Sequence, residues 1–354
     1  MKIFLKKLIF FIFIPTIIWG IIEAFLPITF FTHRHFEAIS FQTRVPTHTY
    51  MYPNISSSMN AVGDMCHHTE NEIIKQEVWQ TDKLGFRNDK FIEEADILFI
   101  GDSFIEGSSL SQEEIVSNKV NKKLRGKKVY NMAPSSLSEF DYYLKSGTIK
   151  KPKIIIFSIV ERNVPTLFMP YIQKKNNTIK NTIIEVLSFS NMNVYIDKML
   201  KQYSIKWIQA RINGSKGNGI QSKINPRMFF LNGINQEYNN TNLAATRDIL
   251  LSYKKYCDAL GIEFLFLPMP NKETVYFDLV PFEKQSNYLF LLDSMLKKSN
   301  INTINSLKIY NDYRKSNSNL LYHFDDTHWN SNGVELITKA IVDKINTTAQ
   351  SSSN

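Results

Sequence analysis

The sequence predicts an α/β protein: a three-layer α/β/α sandwich around a central parallel sheet of about five strands, preceded by a transmembrane helix. Three observations predict it. Short apolar runs alternate with helix-length amphipathic segments from Ile97 to Ile345, the rhythm of a parallel sheet covered on both faces. The first of these runs, Ile97 to Ile100, stops at Gly101-Asp102-Ser103, a small-residue turn at the carboxyl edge of a strand, where open α/β sheets hold ligands. An apolar stretch from Leu8 to Phe31 is long enough, at a helical rise of about 1.5 Å per residue, to cross a hydrocarbon core of roughly 30 Å.

The chain of 354 residues has room for one large α/β domain and an accessory piece. A hydrophobic content of 43% and an aromatic content of 13% exclude a disordered chain. The net charge of +9 suits an anionic partner such as lipid headgroups, an acidic glycan or nucleic acid, but does not choose among them. Two cysteines, Cys66 and Cys257, allow either one disulfide or two buried free thiols.

Lys2, Lys6 and Lys7 precede the apolar run, so the positive-inside rule keeps the N-terminus in the cytoplasm and exports the remainder of the chain. No small-x-small cleavage site comes after the run, which reads as an uncleaved anchor over residues 1–31. Glu23 lies near its outer end, within reach of the interface. Export makes nucleic acid an unsuitable partner. Residues 32–83 show no long period and read as a linker with a small membrane-proximal β segment. Cys66-His67-His68 cannot converge on one tetrahedral ion without a second Cys/His pair, so the cluster reads as structural. Neither a metal nor a cofactor is expected.

The catalytic domain is expected over 84–346. Thr81 to Asp89 is a turn carrying Arg87, and it leads into the Ile97 strand. Ser111 and Glu114 form a capping box for a helix whose apolar face is Ile115, Val116, Val120 and Leu124, stopped by Gly126. Lys128 to Tyr130 is a second strand, followed by the turn Asn131 to Pro134 and a helix through Phe140, Tyr143 and Leu144. Ile154 to Val160 is a third strand, ending in Glu161-Arg162-Asn163.

Residues 167–240 interrupt this rhythm as a basic insertion. Between Tyr171 and Phe229 ten Lys and Arg residues face only Glu185 and Asp197. The interleaved apolar residues fit amphipathic helices that pack on the core or lie on an anionic membrane, or else a solvated insertion. The rhythm returns with a helix through Leu243, Leu250, Tyr253 and Cys257 that stops at Gly261. A strand from Ile262 to Leu267, a helix around Tyr288 to Leu296, a strand around Ile301 to Ile304 and a last helix through Ile345 complete the domain. Residues 347–354 read as a disordered tail.

A serine is a weak nucleophile until a base removes its proton and a third group holds that base. His328 is the candidate base for Ser103, with Asp325 and Asp326 three and two residues upstream to engage its Nδ1 side. On these residues the chain resembles the GDSL/SGNH hydrolase superfamily. GDSF (Gly101 to Phe104) matches the nucleophile block and DDTH (Asp325 to His328) the closing block, in the usual order. More narrowly, DTHWN with Gly333, and PMPNKETVY with Lys272 and Tyr276, resemble the alginate O-acetyltransferase-like branch.

That resemblance implies an SGNH, flavodoxin-like fold and periplasmic acyl transfer onto a cell-surface polysaccharide. It also implies a membrane-bound O-acyltransferase as acyl donor, and Lys272 and Trp329 on the substrate side. Asp-x-x-His spacing selects Asp325 and the DTHW pattern selects Asp326; Asp326 is favoured. In place of the superfamily's second-block Gly and third-block Gly-x-Asn-Asp, the chain has Asn131-Met132-Ala133-Pro134 and Val160-Glu161-Arg162-Asn163. The Ala133 N–H and the Arg162 or Asn163 side chain are then the expected oxyanion donors, beside Asp102 in the nucleophile block. A lost donor of this kind costs about 3–4 kcal/mol of transition-state stabilisation. An esterase on the same scaffold and a non-catalytic glycan-binding protein are the competing readings.

Overall fold

The computed structural model describes residues 2–25, 32–41, 51–66, 69–170, 190–213, 219–234, 240–280 and 285–351. Among these residues the first strands, β1 (Ser56–Ala61) and β2 (Lys75–Gln80), form an antiparallel pair. Alternate residues Met59, Ala61, Glu77 and Trp79 are buried, the period expected of a sheet with one covered face. Met51, Tyr52, Met59 and Trp79 form a small core of their own, separate from the main one.

The central sheet is parallel and contains β3 (Ile97–Gly101), β4 (Val129–Asn131), β5 (Ile154–Val160), β8 (Glu263–Met269) and β9 (Asn302–Thr303). A short antiparallel pair, β6 (Gly219–Gln221) and β7 (Phe229–Leu231), lies between β5 and β8 in the chain. Every residue of β3 is buried, which is why it reads as an unbroken apolar run and not an alternating one. The strand order is β4-β3-β5-β8-β9. From β3 the chain leaves to one side for β4, then crosses back to the other side for β5. The connections therefore diverge between β3 and β5, and such a switch point opens a crevice at the carboxyl ends of the strands. Ser103 follows β3 and Glu161 to Asn163 follow β5, so both sets of residues border that crevice.

Gly101 pairs with Ser158 across β3 and β5, and a Cβ on it would lie 2.4 Å from the Ser158 carbonyl oxygen. The close approach of the two strands dictates glycine here. Helix Val116–Lys123 packs on β4 and against helix Ser331–Ser351. Helix Asn240–Ala259 packs on β8 and against helix Tyr288–Lys298. Phe99, Ile156, Phe266, Leu292 and Ile337 belong to one continuous core.

Several elements differ from expectation. The Ser111/Glu114 capping box is present, but it closes only a 3-10 turn, Gln112–Glu114, and the α-helix starts at Val116 after an extended Ile115. The turn has a second task that accounts for the break. Ser111 Oγ accepts the Val78 N–H at 3.2 Å and Gln112 Oε1 accepts the Gln80 N–H at 3.2 Å, fastening β2 to the domain. Helix Ser306–Arg314 is additional, and Ser331–Ser351 continues through the first half of the expected tail. Cys66 and Cys257 are both buried free thiols, while His67 and His68 lie outside the described residues.

At the N-terminus, segments Lys2–Leu8, Ile9–Phe13 and Ile14–Phe25 follow one another directly. Residues Phe4–Phe25 form a 22-residue helix of mean hydropathy 2.3, long and apolar enough to cross a membrane. The rest of the apolar run, 26–31, lies outside the described residues. Glu23 is buried: its Oε1 accepts from the Ser204 N–H at 3.0 Å, from the Trp19 indole N–H at 3.2 Å and from the Ser204 hydroxyl.

Candidate active site

Asp102 is the N-cap of the four-residue helix Ser103–Glu106 that follows β3. Its Oδ1 accepts the Phe104 N–H at 3.0 Å, and its Oδ2 accepts the Val160 N–H at 2.7 Å. The carboxylate thus staples the end of β3 to the end of β5. Burial raises its pKa, against the opposing pull of these two N–H bonds and the charges of Arg162 and His328. Ser103 occupies the first helical position, where the backbone N–H has no intrahelical acceptor.

His328 arrives from the other end of the chain. Its Nε2 lies 2.8 Å from Ser103 Oγ, and its Nδ1 lies 2.6 Å from Asp326 Oδ1. The His328 backbone N–H donates to the same carboxylate oxygen at 2.8 Å. Asp326 Oδ2 accepts from Ser109 Oγ at 2.5 Å and from the Asp64 N–H at 3.1 Å. With Asp326 as acceptor, the imidazole carries its proton on Nδ1 and presents a free lone pair at Nε2 to the serine hydroxyl. Burial pulls the His328 pKa down, but the charge and hydrogen bond of Asp326 outweigh it, and the net displacement is upward. Burial likewise opposes ionisation of Asp326, yet His328 holds that carboxyl well below the ordinary range.

Asp325 points away from the histidine. Its Oδ2 accepts the Gly63 N–H at 2.8 Å and the Ile73 N–H at 3.1 Å, and Lys75 Nζ lies 3.7 Å from Oδ1. Of the two carboxylates left open by the spacing, Asp326 is the one joined to His328. Asp64, which no motif singled out, accepts the Thr327 N–H at 2.9 Å and the Thr327 hydroxyl at 2.7 Å. Asp64, Asp326 and His328 bring one oxygen or nitrogen each to within 4.8 Å of one another, a set that a cation could use. In the present arrangement those groups are linked through hydrogen bonds to one another and to Thr327.

The remaining site candidates divide. The Ala133 N–H donates at 2.9 Å to Asn131 Oδ1, which removes it from the expected oxyanion role. Arg162 is half-buried and donates to Asn271 Oδ1 at 3.4 Å, and its charge acts on both Asp102 and His328. Asn163 is exposed beyond it. Lys272 is fully buried and donates to three carbonyls, those of His323 at 2.6 Å, Phe324 at 2.9 Å and Asp326 at 3.1 Å. It holds the loop that delivers Asp326 and His328 and leaves no donor for a substrate; burial pushes its pKa down to about 8. Trp329 is also fully buried, edge-on to Phe104 at 5.7 Å between ring centroids, and belongs to the core. Both were expected on the substrate side. Arg34, His35, Trp79, Ser108 and Ser109 line a small concavity that reaches Asp326 and His328.

No protein-family model matches this chain, and no curated protein matches it either.

Two predictions distinguish the carboxylates and test the base. Asp326→Ala should lower kcat/KM for p-nitrophenyl acetate by about 10⁴, the scale for losing the group that orients a catalytic histidine. Asp325→Ala should instead lower stability in urea by about 1–3 kcal/mol, because it orphans buried N–H groups; equal activity losses in the two variants would contradict the assignment. The proton-accepting form of His328 is neutral and its pKa is raised, so kcat/KM should climb with pH along a limb whose midpoint lies above 6.5. A midpoint at or below 6.5 would mean that burial outweighs the support of Asp326.

Proposed function

We propose that this chain is an exported, membrane-anchored serine acyltransferase that O-acetylates a cell-envelope or secreted polysaccharide. The observation that carries the proposal is the line Ser103 Oγ–His328 Nε2 at 2.8 Å and His328 Nδ1–Asp326 Oδ1 at 2.6 Å, beside the switch point of the sheet. The motif resemblance supports the narrower reading of a three-layer SGNH scaffold of the alginate O-acetyltransferase-like kind. The apolar helix Phe4–Phe25, with lysines before it, supports a single-pass anchor in a bacterial inner membrane and a periplasmic catalytic domain.

Ser103 Oγ attacks the acyl carbonyl while His328 Nε2 takes the serine proton. The negative oxygen of the tetrahedral intermediate is met by the Ser103 N–H and by the positive charge of Arg162. Collapse expels the donor's leaving group, which takes the proton from His328 and leaves acyl-Ser103. A glycan hydroxyl then attacks the ester, giving its proton to His328, and His328 returns a proton to Ser103 Oγ as the acetylated glycan departs. Water in place of the glycan gives the esterase reaction, so acceptor binding decides between the two. A membrane-bound O-acyltransferase is the proposed source of the acyl group.

The test is acetyl transfer from p-nitrophenyl acetate to oligosaccharides, followed by mass spectrometry. Acetylated oligosaccharide should form with the wild-type protein and disappear in Ser103→Ala. Nitrophenolate release with no transfer to any acceptor would assign the chain as an esterase, and the absence of both would refute serine acyl chemistry.

A further inference from the structure

We propose that helices Asn191–Lys201 and Tyr203–Asn213 form an interfacial platform, sunk into the lipid leaflet at the Phe25 end of the N-terminal helix. The proposal rests on reading Phe4–Phe25 as a membrane span. It starts from the polarity of the helix pair, which is inverted relative to a water-soluble protein. Asp197, Lys201 and Ser204, at helical spacing, face the protein and are buried. The outward face carries Met192, Ile196, Leu200, Ile205, Ile208 and Ile212, with Met192 74% and Ile212 77% exposed. Water penalises that arrangement and hydrocarbon does not.

The apolar face is continuous with the N-terminal helix. Helix Ile14–Phe25 packs along helix Asn191–Lys201. A Cβ on Gly20 would lie 3.1 Å from Met199 Cε, and the Phe25 and Tyr195 rings are 5.4 Å apart. The two helices therefore run antiparallel, with Tyr195 at the level of Phe25 and Met199 at the level of Gly20. Four residues of helix rise place Met199 about 6 Å deeper than Tyr195, within the roughly 5–10 Å to which interfacial helices sink. Ser204 reaches Glu23, between these two levels, and satisfies its carboxyl with an N–H bond at 3.0 Å. A carboxylate that would be costly in lipid is thus covered by the platform's own polar seam. Lys198 and Lys206 lie over the rings of Tyr195 and Tyr203, at 5.6 and 5.5 Å, and their long stems let the ammonium groups reach lipid headgroups.

The seam also ties the platform to the candidate active site. Tyr52 donates to Asp197 at 2.6 Å, and Lys201 Nζ and the Tyr203 hydroxyl both donate to the Glu37 carbonyl. Glu37 pairs with Arg34 at 3.2 Å, and Arg34 lines the concavity that reaches Asp326 and His328. Embedding the platform sets the height of that concavity over the bilayer.

The full chain, reconstituted in phosphatidylcholine–phosphatidylglycerol vesicles, tests this with a fluorophore on one introduced cysteine at a time: Ile18→Cys, Ile196→Cys, Ile208→Cys and Lys298→Cys. Cys66 and Cys257 are buried and leave the introduced thiol to take the label. Labels at 196 and 208 should lose most of their fluorescence to a lipid carrying a shallow doxyl group and little to iodide, with 298 behaving oppositely. A label at 18 quenched by a deep doxyl lipid reports the span itself. Quenching at 18 together with iodide access at 196 and 208 would overturn the platform alone, and would assign the apolar face to a protein partner if native membranes then shield it. No lipid quenching at 18 would remove the span and the platform together.

Discussion

Asp325 and Asp326 are adjacent in the chain, both buried, and taken up by different sets of donors. Asp325 is taken up by the Gly63 and Ile73 amides, and Asp326 by His328, Ser109 and the Asp64 amide. Each carboxylate would be expensive to bury without such donors. Gly63 has no room for a side chain, since a Cβ there would lie 2.0 Å from the Asp325 carbonyl oxygen. Two loops 262 residues apart are thereby locked in one geometry. Within that turn Asp326 sets the tautomer of His328 and the direction of its ring toward Ser103. Lys272 reinforces the turn by collecting three carbonyls of the same loop.

The segment that follows Ser103 is held by an analogous device. Arg87 is fully buried, and burial depresses its pKa to about 10. It donates to the carbonyls of Gly107 at 2.5 Å and Leu110 at 2.6 Å, and stacks over Trp79 at 3.8 Å. The segment after Ser103 is thus drawn onto β2, and Ser109, in a left-handed conformation at φ 65°, is turned toward Asp326. Residues 51–66 and 69–80, which show no long period in the sequence, therefore contribute to both halves of the site. They are built into the frame of the candidate site.

How much of this was legible in the sequence depends on the range of each interaction. The buried strand Ile97–Gly101, the serine after it and the histidine turn near the C-terminus are local patterns, and each falls where its pattern points. The parallel sheet is legible for the same reason. Asp64 and Ser109 carry no such mark, because their partners lie 263 and 217 residues away. Lys272 and Trp329 have the residue types of a binding surface, yet only tertiary placement reveals that one holds carbonyls and the other fills the core. Ala133 could not be assigned without knowing that Asn131 takes its N–H. In the basic insertion, charge alone left three readings open, because the buried polar seam of Asp197, Lys201 and Ser204 forms only through tertiary contacts.

The central claim is that the reactivity of Ser103 depends on the distant loop that fixes the Asp326–His328 turn. The most direct measurement is the rate at which a fluorophosphonate modifies Ser103, located by peptide mass, in the wild-type protein and in Asp64→Ala. That variant keeps Ser103, His328 and Asp326 but loses both bonds to Thr327. The account predicts labelling of Ser103 in the wild type and a rate lower by about tenfold or more in the variant, the effect of roughly 1.4 kcal/mol. Labelling at the wild-type rate in Asp64→Ala, or no labelling of Ser103 in the wild type, would contradict it.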